Sequence, residues 1–296
     1  MSRTVLTDAQ WQPLAAAHRG RLGPFAQAHR ERSRRGEKHP VWDFLFTYYG
    51  LRPAQLLRWH PGLGVELDGP AAAAHFDGAR GYVVDGYRVR LDPRLLTRRA
   101  GTARYIDRLL SATAARAPQL GCFGLHEWAM VYRESDSARH PVPLRLGPEG
   151  TDAVVEAGGL RCTHYDAFRF FTPQAAPRNA STLTRDDQIA TEQPGCLHAS
   201  MDLYKWAFKL EPAVPSDLVA DAFELARDAR ELDMMASPYD LADLGFAPVA
   251  IETRQGRAEY VRRQNALAER AAPIRERLVA IARSWPSPEP MVPGAE

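Results

Sequence analysis

The segment that most constrains the fold is a helical stretch that is apolar almost all the way round. In GCLHASMDLYKWAFKL, residues 195–210, apolar side chains cover most of the circumference of a helix. A surface helix carries a broad polar face, so this pattern predicts a buried helix. Its ionisable side chains fall on one narrow stripe: His198, Asp202, Lys205 and Lys209. Because an unpaired buried charge costs several kcal/mol, the stripe must face a polar cavity, a metal ion or compensating charges.

Two other apolar segments each contain a histidine and a carboxylate. In QLGCFGLHEWAMVYR, residues 119–133, His126 and Glu127 have apolar neighbours on both sides. In GGLRCTHYDAFRFF, residues 158–171, strand-like alternation places His164 and Asp166 on one face that continues into phenylalanines. In all three segments a cysteine precedes the histidine by two or four residues: Cys122, Cys162 and Cys196. We therefore expect the three segments to meet around one site.

Each segment also has a simpler interpretation. An isolated buried histidine usually makes one satisfied hydrogen bond in a core, and Asp166 can close a polar gap beside His164. Asp202, Lys205 and Lys209 can form a structural ion-pair network. The cysteines can be small core residues, and their spacing contains no CxxC knuckle of a structural zinc site. Their odd number, three, favours a reducing compartment over a disulfide framework.

A site of histidines and carboxylates suits one iron, manganese or zinc ion. The candidate metal ligands are His126, His164, Asp166 and His198. The candidate catalytic groups are Glu127, Asp202, Lys205 and Glu192, of which Glu192 can equally be a solvent-facing loop residue. The candidate binding residues are Trp128, Tyr165, Tyr204, Trp206 and Lys209. Such a site predicts a metal-dependent enzyme that acts on a small molecule.

The remaining patterns predict one α+β domain over residues 1–285, mainly helical with a small, mostly antiparallel sheet. A Pro-rich tail over 286–296 is expected to be disordered. Helices are expected over 7–35, at the start of 41–57, and over 95–116, 184–191, 196–210, 216–235 and 255–284. Strands are expected within 63–92, 144–146, 152–171 and 249–252.

The composition favours a cytoplasmic protein that does not associate with membranes. The net charge is +2, so no strong polyelectrolyte partner is implied. No apolar run approaches the ~20 residues needed to cross a bilayer, and the first residues lack the apolar core of a signal peptide. The oligomeric state stays open.

Five segments distributed along the chain carry a family resemblance: HPVWDFLFTYYGLRPAQLLRWHPG, GCFGLHEWAMVYR, EQPGCLHASMDLYKWAFKL, LDMMASPYDL and IETRQGRAEYVRRQ. In them the chain resembles, over nearly its whole length, an actinobacterial family commonly labelled 3-methyladenine DNA glycosylase. The resemblance implies a DNA base-excision enzyme that hydrolyses the N-glycosidic bond of alkylated purines without a metal ion. A carboxylate such as Glu127 or Asp202 would then activate water. The flipped base would stack on the aromatic residues beside the site: Trp128, Tyr165, Tyr204 and Trp206.

Three hypotheses therefore stand. The resemblance favours the glycosylase, whose partner is an alkylated DNA base, although the chain contains no helix-hairpin-helix pattern. The ionisable groups favour the metal-dependent enzyme, and both enzymes would use nearly the same residues. In the third hypothesis the chain is a binding module without catalysis, and the ionisable stripe is structural.

Overall fold

The fold combines a helical body with a small sheet. The computed structural model describes residues 4–134 and 142–286. The strands are β1 (Thr4–Thr7), β2 (Val65–Asp68), β3 (Tyr82–Asp85) and β4 (Arg88–Leu91). The helices are α1 (Asp8–Arg34), α2 (Phe44–Thr47), α3 (Pro53–Leu56), α4 (Pro70–Phe76), α5 (Pro93–Ala114), α6 (Leu125–Ala129), α7 (Gly147–Gly158), α8 (Tyr165–Phe168), α9 (Gln188–Thr191), α10 (Leu197–Lys209), α11 (Ser216–Met235) and α12 (Arg254–Arg283). The predicted α+β class is confirmed.

The sheet has the strand order β1-β2-β4-β3. β1 pairs parallel with β2, whereas β2 with β4 and β3 with β4 are antiparallel, so the sheet is mostly antiparallel as predicted. The sequence patterns do not predict β1 or α4. The chain passes directly from β1 into α1, where Thr7 and Gln10 form a capping box. One face of the sheet covers a small separate core that includes Trp11, Trp59 and Phe76.

The main core is built around α10, which packs against α11 and α12. Every side chain of α10 from Leu197 to Ala207 is buried except that of Lys205. The predicted burial of this helix is therefore confirmed. The same core continues into α5 through Ile106 and Leu109, and α12 closes it from the outside through Leu267 and other apolar residues.

Residues 147–171 differ from the predicted strand. The strand predicted from the alternation over 152–171 is wrong, because Gly147–Gly158 forms α7 and the chain then turns into α8. Thr151, Val154 and Val155 share the buried face of α7 at helical spacing, and Gly159 ends the helix with a positive φ of 65°. Between the two helices the structure has one isolated bridge, from Leu160 to Asn179.

Other predicted elements are also corrected. Residues 144–146 contribute one isolated bridge rather than a strand, and residues 249–252 are irregular. The predicted disordered tail lies outside the described residues from position 287 onward. None of the helices within 4–134 and 142–286 has the length and apolar character required to cross a bilayer.

Candidate metal centre

The three histidines singled out in the sequence are brought together at the centre of the molecule. The ring centroids of His126 and His198 are 4.5 Å apart, and those of His164 and His198 are 5.3 Å apart. Their ligating atoms divide between two groups of buried residues, each within 4.8 Å of one another. The first, named here the Glu192 triad, contains His164, Glu192 and Asp202. The second, named the Asp233 triad, contains His126, His198 and Asp233.

The Glu192 triad brings three buried ligating groups close together at contact distances that are long for hydrogen bonds. His164 Nε2 lies 3.3 Å from Glu192 Oε1 and 3.4 Å from Asp202 Oδ2. Neither ring nitrogen of His164 has a hydrogen-bond partner among the described residues, although the side chain is only 1% exposed. A buried polar group without a partner costs about 1–3 kcal/mol. One imidazole nitrogen and two carboxylates suit a divalent iron, manganese or zinc ion, which would supply the missing partner.

The charges of the Glu192 triad also favour a cation. Burial alone would lower the pKa of His164, but the two carboxylates outweigh it and raise the pKa above its ordinary value. Burial raises the pKa of Glu192, and Asp202 nearby raises it further. Burial would also raise the pKa of Asp202, but Lys205 and His164 hold it well below its usual range. Two carboxylates therefore face one imidazole, with Lys205 as the nearest additional positive charge.

Asn179 fixes the chain that carries His164. Its side-chain Nδ2 donates hydrogen bonds to the carbonyl oxygens of Cys162 at 3.0 Å and Ser181 at 2.7 Å. Its Oδ1 accepts a hydrogen bond from the Cys162 backbone N–H at 2.8 Å. These three bonds tie the irregular segment at Cys162 to Asn179. His164 is therefore placed by side-chain contacts, immediately before α8 begins at Tyr165.

The loop that carries Glu192 is held in the same way. Arg116 donates to the carbonyl oxygen of Glu192 at 2.8 Å, and Gln193 Oε1 accepts from the Gly195 N–H at 2.7 Å. Gln264, from α12, donates to the Gly195 carbonyl at 2.6 Å. A β-carbon at Gly195 would lie 3.0 Å from neighbouring backbone atoms, so the close approach favours glycine. Of the two placements left open for Glu192, the solvent-facing one is excluded, since its side chain is 1% exposed.

The Asp233 triad differs because its groups are largely paired. His126 Nε2 lies 2.8 Å from Asp233 Oδ1, and His126 Nδ1 lies 3.5 Å from Cys122 Sγ. Arg230 donates to Asp233 Oδ2 at 3.0 Å and to Glu127 Oε1 at 2.8 Å. Burial opposes ionisation of Asp233, but His126 and Arg230 hold its pKa well below the usual range. This triad has an internal balance of charge that the Glu192 triad lacks.

His198 links the two triads as a neutral imidazole. Burial lowers its pKa well below the ordinary value, and the adjacent His126 lowers it further. No hydrogen bond of its ring to another described residue is present, and its side chain lines a cavity of about 230 Å³. A neutral imidazole with a free nitrogen is available as an additional ligand.

Two cavities meet at a wall formed by Tyr48 and Asp166. The smaller reaches the Asp233 triad through His198 alone among the triad residues. The larger, named here the Lys209 cavity, has a volume of about 580 Å³. Gln188 and Lys205 line it and contact the Glu192 triad directly: Gln188 Nε2 donates to Glu192 Oε1 at 2.5 Å, and Lys205 donates to Asp202. The Lys209 cavity is therefore separated from the Glu192 triad by single side chains.

Several predicted site residues have other positions than expected. Asp166 belongs to neither triad: α8 begins at Tyr165, so Asp166 is not on one strand face with His164 and instead accepts from Lys205 Nζ at 3.0 Å. Trp128 and Tyr204 are core residues with no exposed surface, and Trp128 Nε1 donates to a backbone carbonyl at 2.8 Å. Neither ring is accessible for stacking with a ligand.

The other candidates lie at the site or its edge. Trp206 and Lys209 line the Lys209 cavity, and Tyr165 is half-buried beside Arg185. Glu127 lines the smaller cavity and is paired with Arg230.

The sequence patterns missed four residues of the site: Gln188, Asn179, Arg230 and Asp233. The last two lie on α11, whose sequence holds many other charged residues, so the rule applied to α10 does not single them out. Gln188 and Asn179 act through hydrogen bonds that no sequence periodicity reports.

Comparisons of the chain with protein-family models, curated proteins and solved structures return no match.

Proposed function

We propose that this protein is a cytoplasmic metal-dependent enzyme that acts on a small molecule. One iron, manganese or zinc ion would be held by His164, Glu192 and Asp202. The observation that carries the proposal is that His164 is fully buried with neither ring nitrogen hydrogen-bonded to a residue within 4–134 or 142–286, while two buried carboxylates lie within 3.4 Å of its Nε2. Free cysteines agree with a reducing compartment.

Three protein ligands leave coordination positions for water and for a substrate oxygen. An ion in such a position polarises a bound carbonyl or phosphoryl group, or lowers the pKa of bound water. The protein orients the ligands through outer hydrogen bonds, from Lys205 to Asp202 and from Gln188 to Glu192. Outer partners of this kind typically contribute 10–100-fold to metal affinity. A substrate bound in the Lys209 cavity would lie one side chain from the triad and would reach the ion if Gln188 or Lys205 moved aside.

The proposal is tested by metal binding to the intact chain. Protein freed of metal with a chelator is titrated with Fe²⁺, Mn²⁺ and Zn²⁺, and bound metal is counted per chain. We expect about one ion per chain and a higher melting temperature. Saturation at 100 times Kd adds about 2.7 kcal/mol to the free energy of unfolding. His164→Gln and Glu192→Gln should each weaken binding at least ~10-fold.

His18→Gln is the matched control, because His18 is also buried but its Nε2–H donates to the Leu56 carbonyl oxygen, away from the triad. It should bind the ion like the parent chain. The proposal fails if the parent chain binds none of the three metals stoichiometrically. It also fails if His164→Gln binds as well as His18→Gln.

A DNA glycosylase is the second candidate, and the Lys209 cavity is the observation that favours it. Tyr105 and Trp206 line this cavity together with Arg169 and Arg185, so a flipped base could stack while phosphates pair with the arginines. The carboxylate that lines it, Asp166, is already paired with Lys205 and Arg169, and Asp202 behind Lys205 is paired with that lysine as well. Release of base from alkylated DNA, unchanged by chelation and lost in Asp202→Asn, would favour this candidate over the metal-dependent enzyme.

A further inference from the structure

The Lys209 cavity carries a surplus of positive charge. Asp166 is the one carboxylate among its described lining residues, against four cationic side chains: Arg169, Arg185, Lys205 and Lys209. Asp166 already accepts from Lys205 at 3.0 Å and lies 3.2 Å from Arg169 Nε. Lys205 also forms an ion pair with Asp202. The other two cations are therefore left without an equivalent partner.

Lys209 and Arg185 are the cations that remain available. No described carboxylate lies within ion-pair distance of Lys209, whose ammonium group instead lies 5.4 Å from the Trp206 ring. Arg185 reaches Asp166 only at 3.9 Å, and its side chain is 72% exposed. Partial burial and the nearby Lys205 lower the pKa of Lys209. An anion bound beside Lys209 would relieve this repulsion.

One wall of the cavity is aromatic and extends toward the Glu192 triad. Trp206 is 5% exposed, yet its indole Nε1 has no hydrogen-bond partner among the described residues. Tyr105 packs edge-on against it at 5.9 Å, and the Tyr105 hydroxyl donates to Gln188 Oε1 at 2.8 Å. Gln188 in turn holds Glu192. The aromatic wall thus connects the cationic part of the cavity with the Glu192 triad.

We propose that the substrate is a planar aromatic anion, either a carboxylate or a phosphate monoester. Its charged group pairs with Lys209 and Arg185, and its ring packs against Trp206 and Tyr105. The volume of about 580 Å³ lies within the range of small-molecule sites, about 300–1,000 Å³. This inference rests on the proposed metal-dependent function, because a ring held in this way would extend toward the ion proposed at the Glu192 triad.

The test measures binding of four compounds to the full-length, metal-loaded protein by calorimetry. 4-Hydroxybenzoate and phenyl phosphate are aromatic anions. 4-Hydroxybenzamide has the ring without the charge, and cyclohexanecarboxylate has the charge without a planar ring. We expect at least one aromatic anion to bind ~10-fold more tightly than both controls, and the stronger of the two identifies the charged group.

Variants then assign the effect to the cavity. Lys209→Met should weaken binding of the preferred anion about 10-fold and leave that of the benzamide unchanged. Trp206→Leu should reduce the preference for a planar ring over cyclohexanecarboxylate. Lys38→Met, which removes an exposed lysine outside the cavity, should bind like the parent chain. Bound metal is counted in every variant.

The outcomes separate the two proposals. Stoichiometric metal without any preference for the aromatic anions, or a Lys209→Met variant equal to the Lys38→Met variant, overturns the substrate class alone. Selective binding of an aromatic anion by a chain that holds no metal overturns the metal-dependent function and supports the cavity assignment.

Discussion

Replacing Arg230 with methionine should destabilise the fold more than the same replacement of any exposed arginine. Arg230 is 1% exposed and donates to two buried carboxylates, Glu127 and Asp233. Methionine keeps much of the length and apolar volume of the side chain. The variant therefore removes the positive charge while leaving both carboxylates in a site with almost no access to water.

The magnitude follows from the distances. At an effective dielectric constant of about 20, opposite unit charges 3 Å apart attract by roughly 5–6 kcal/mol. Much of this attraction only offsets the cost of removing the charges from water, which is several kcal/mol per ion. Removing one partner of a buried ion pair typically costs about 3–5 kcal/mol. We expect a loss in that range for Arg230→Met, although His126 continues to pair with Asp233.

The assay is urea-induced unfolding at pH 7, with Arg227→Met as the control. Arg227 lies one turn earlier on α11, is partly exposed and pairs with the adjacent Asp228, so its loss should cost less than about 1 kcal/mol. A double variant with Glu127→Gln should recover part of the deficit, which a double-mutant cycle measures. A loss below about 1 kcal/mol for Arg230→Met would refute the role assigned to this charge.

Three further predictions concern the core, the acid response and the loop before His164. Trp128→Phe should lower the free energy of unfolding by roughly 1–3 kcal/mol through a lost buried hydrogen bond, with metal and ligand binding unchanged; weaker ligand binding would place Trp128 in the site after all. Burial lowers the pKa of His60 to about 3, so the fold favours the neutral ring. Its contribution to stability is present above pH ~6.5 and is lost as pH falls toward 3, by up to ~1.4 kcal/mol per pH unit. His60→Gln should therefore give a shallower acid destabilisation in urea titrations at pH 7, 5 and 4, and an equal slope would contradict this. Asn179→Ala should weaken metal binding about 10–100-fold in calorimetry, whereas an unchanged Kd would show that His164 does not depend on this clamp.

The convergence of the histidines could be predicted from the sequence because ionisable residues lie there in segments whose apolar character predicts burial. His198 and Asp202 lie in a helix that has almost no polar face, and such groups must meet a partner inside the molecule. The same reasoning predicts the burial of α10 and its boundaries within two residues. It does not predict how the ligating groups divide into two triads, since that depends on side-chain positions contributed by other elements.

The errors have a common physical origin in short or irregular segments. Over 158–171 the apolar spacing fits a strand and a short helix equally well, and α8 has only four residues. β1 is equally short and gains its stability from pairing with β2, sixty residues later in the chain. The clamp formed by Asn179 depends on tertiary geometry, and the sequence around it contains no helical or strand periodicity that would indicate a role.

The contact between Gln264 and the Gly195 carbonyl gives the last helix a role beyond covering apolar surface. Truncation of the chain before α12 would remove the donor that anchors the turn next to Glu192. It would also remove Tyr260 and Leu278, two buried core residues of that helix. A shortened protein that still folds would thus be expected to lose the function that depends on Glu192. Tags or fusions are accordingly better joined where this helix is left free to dock.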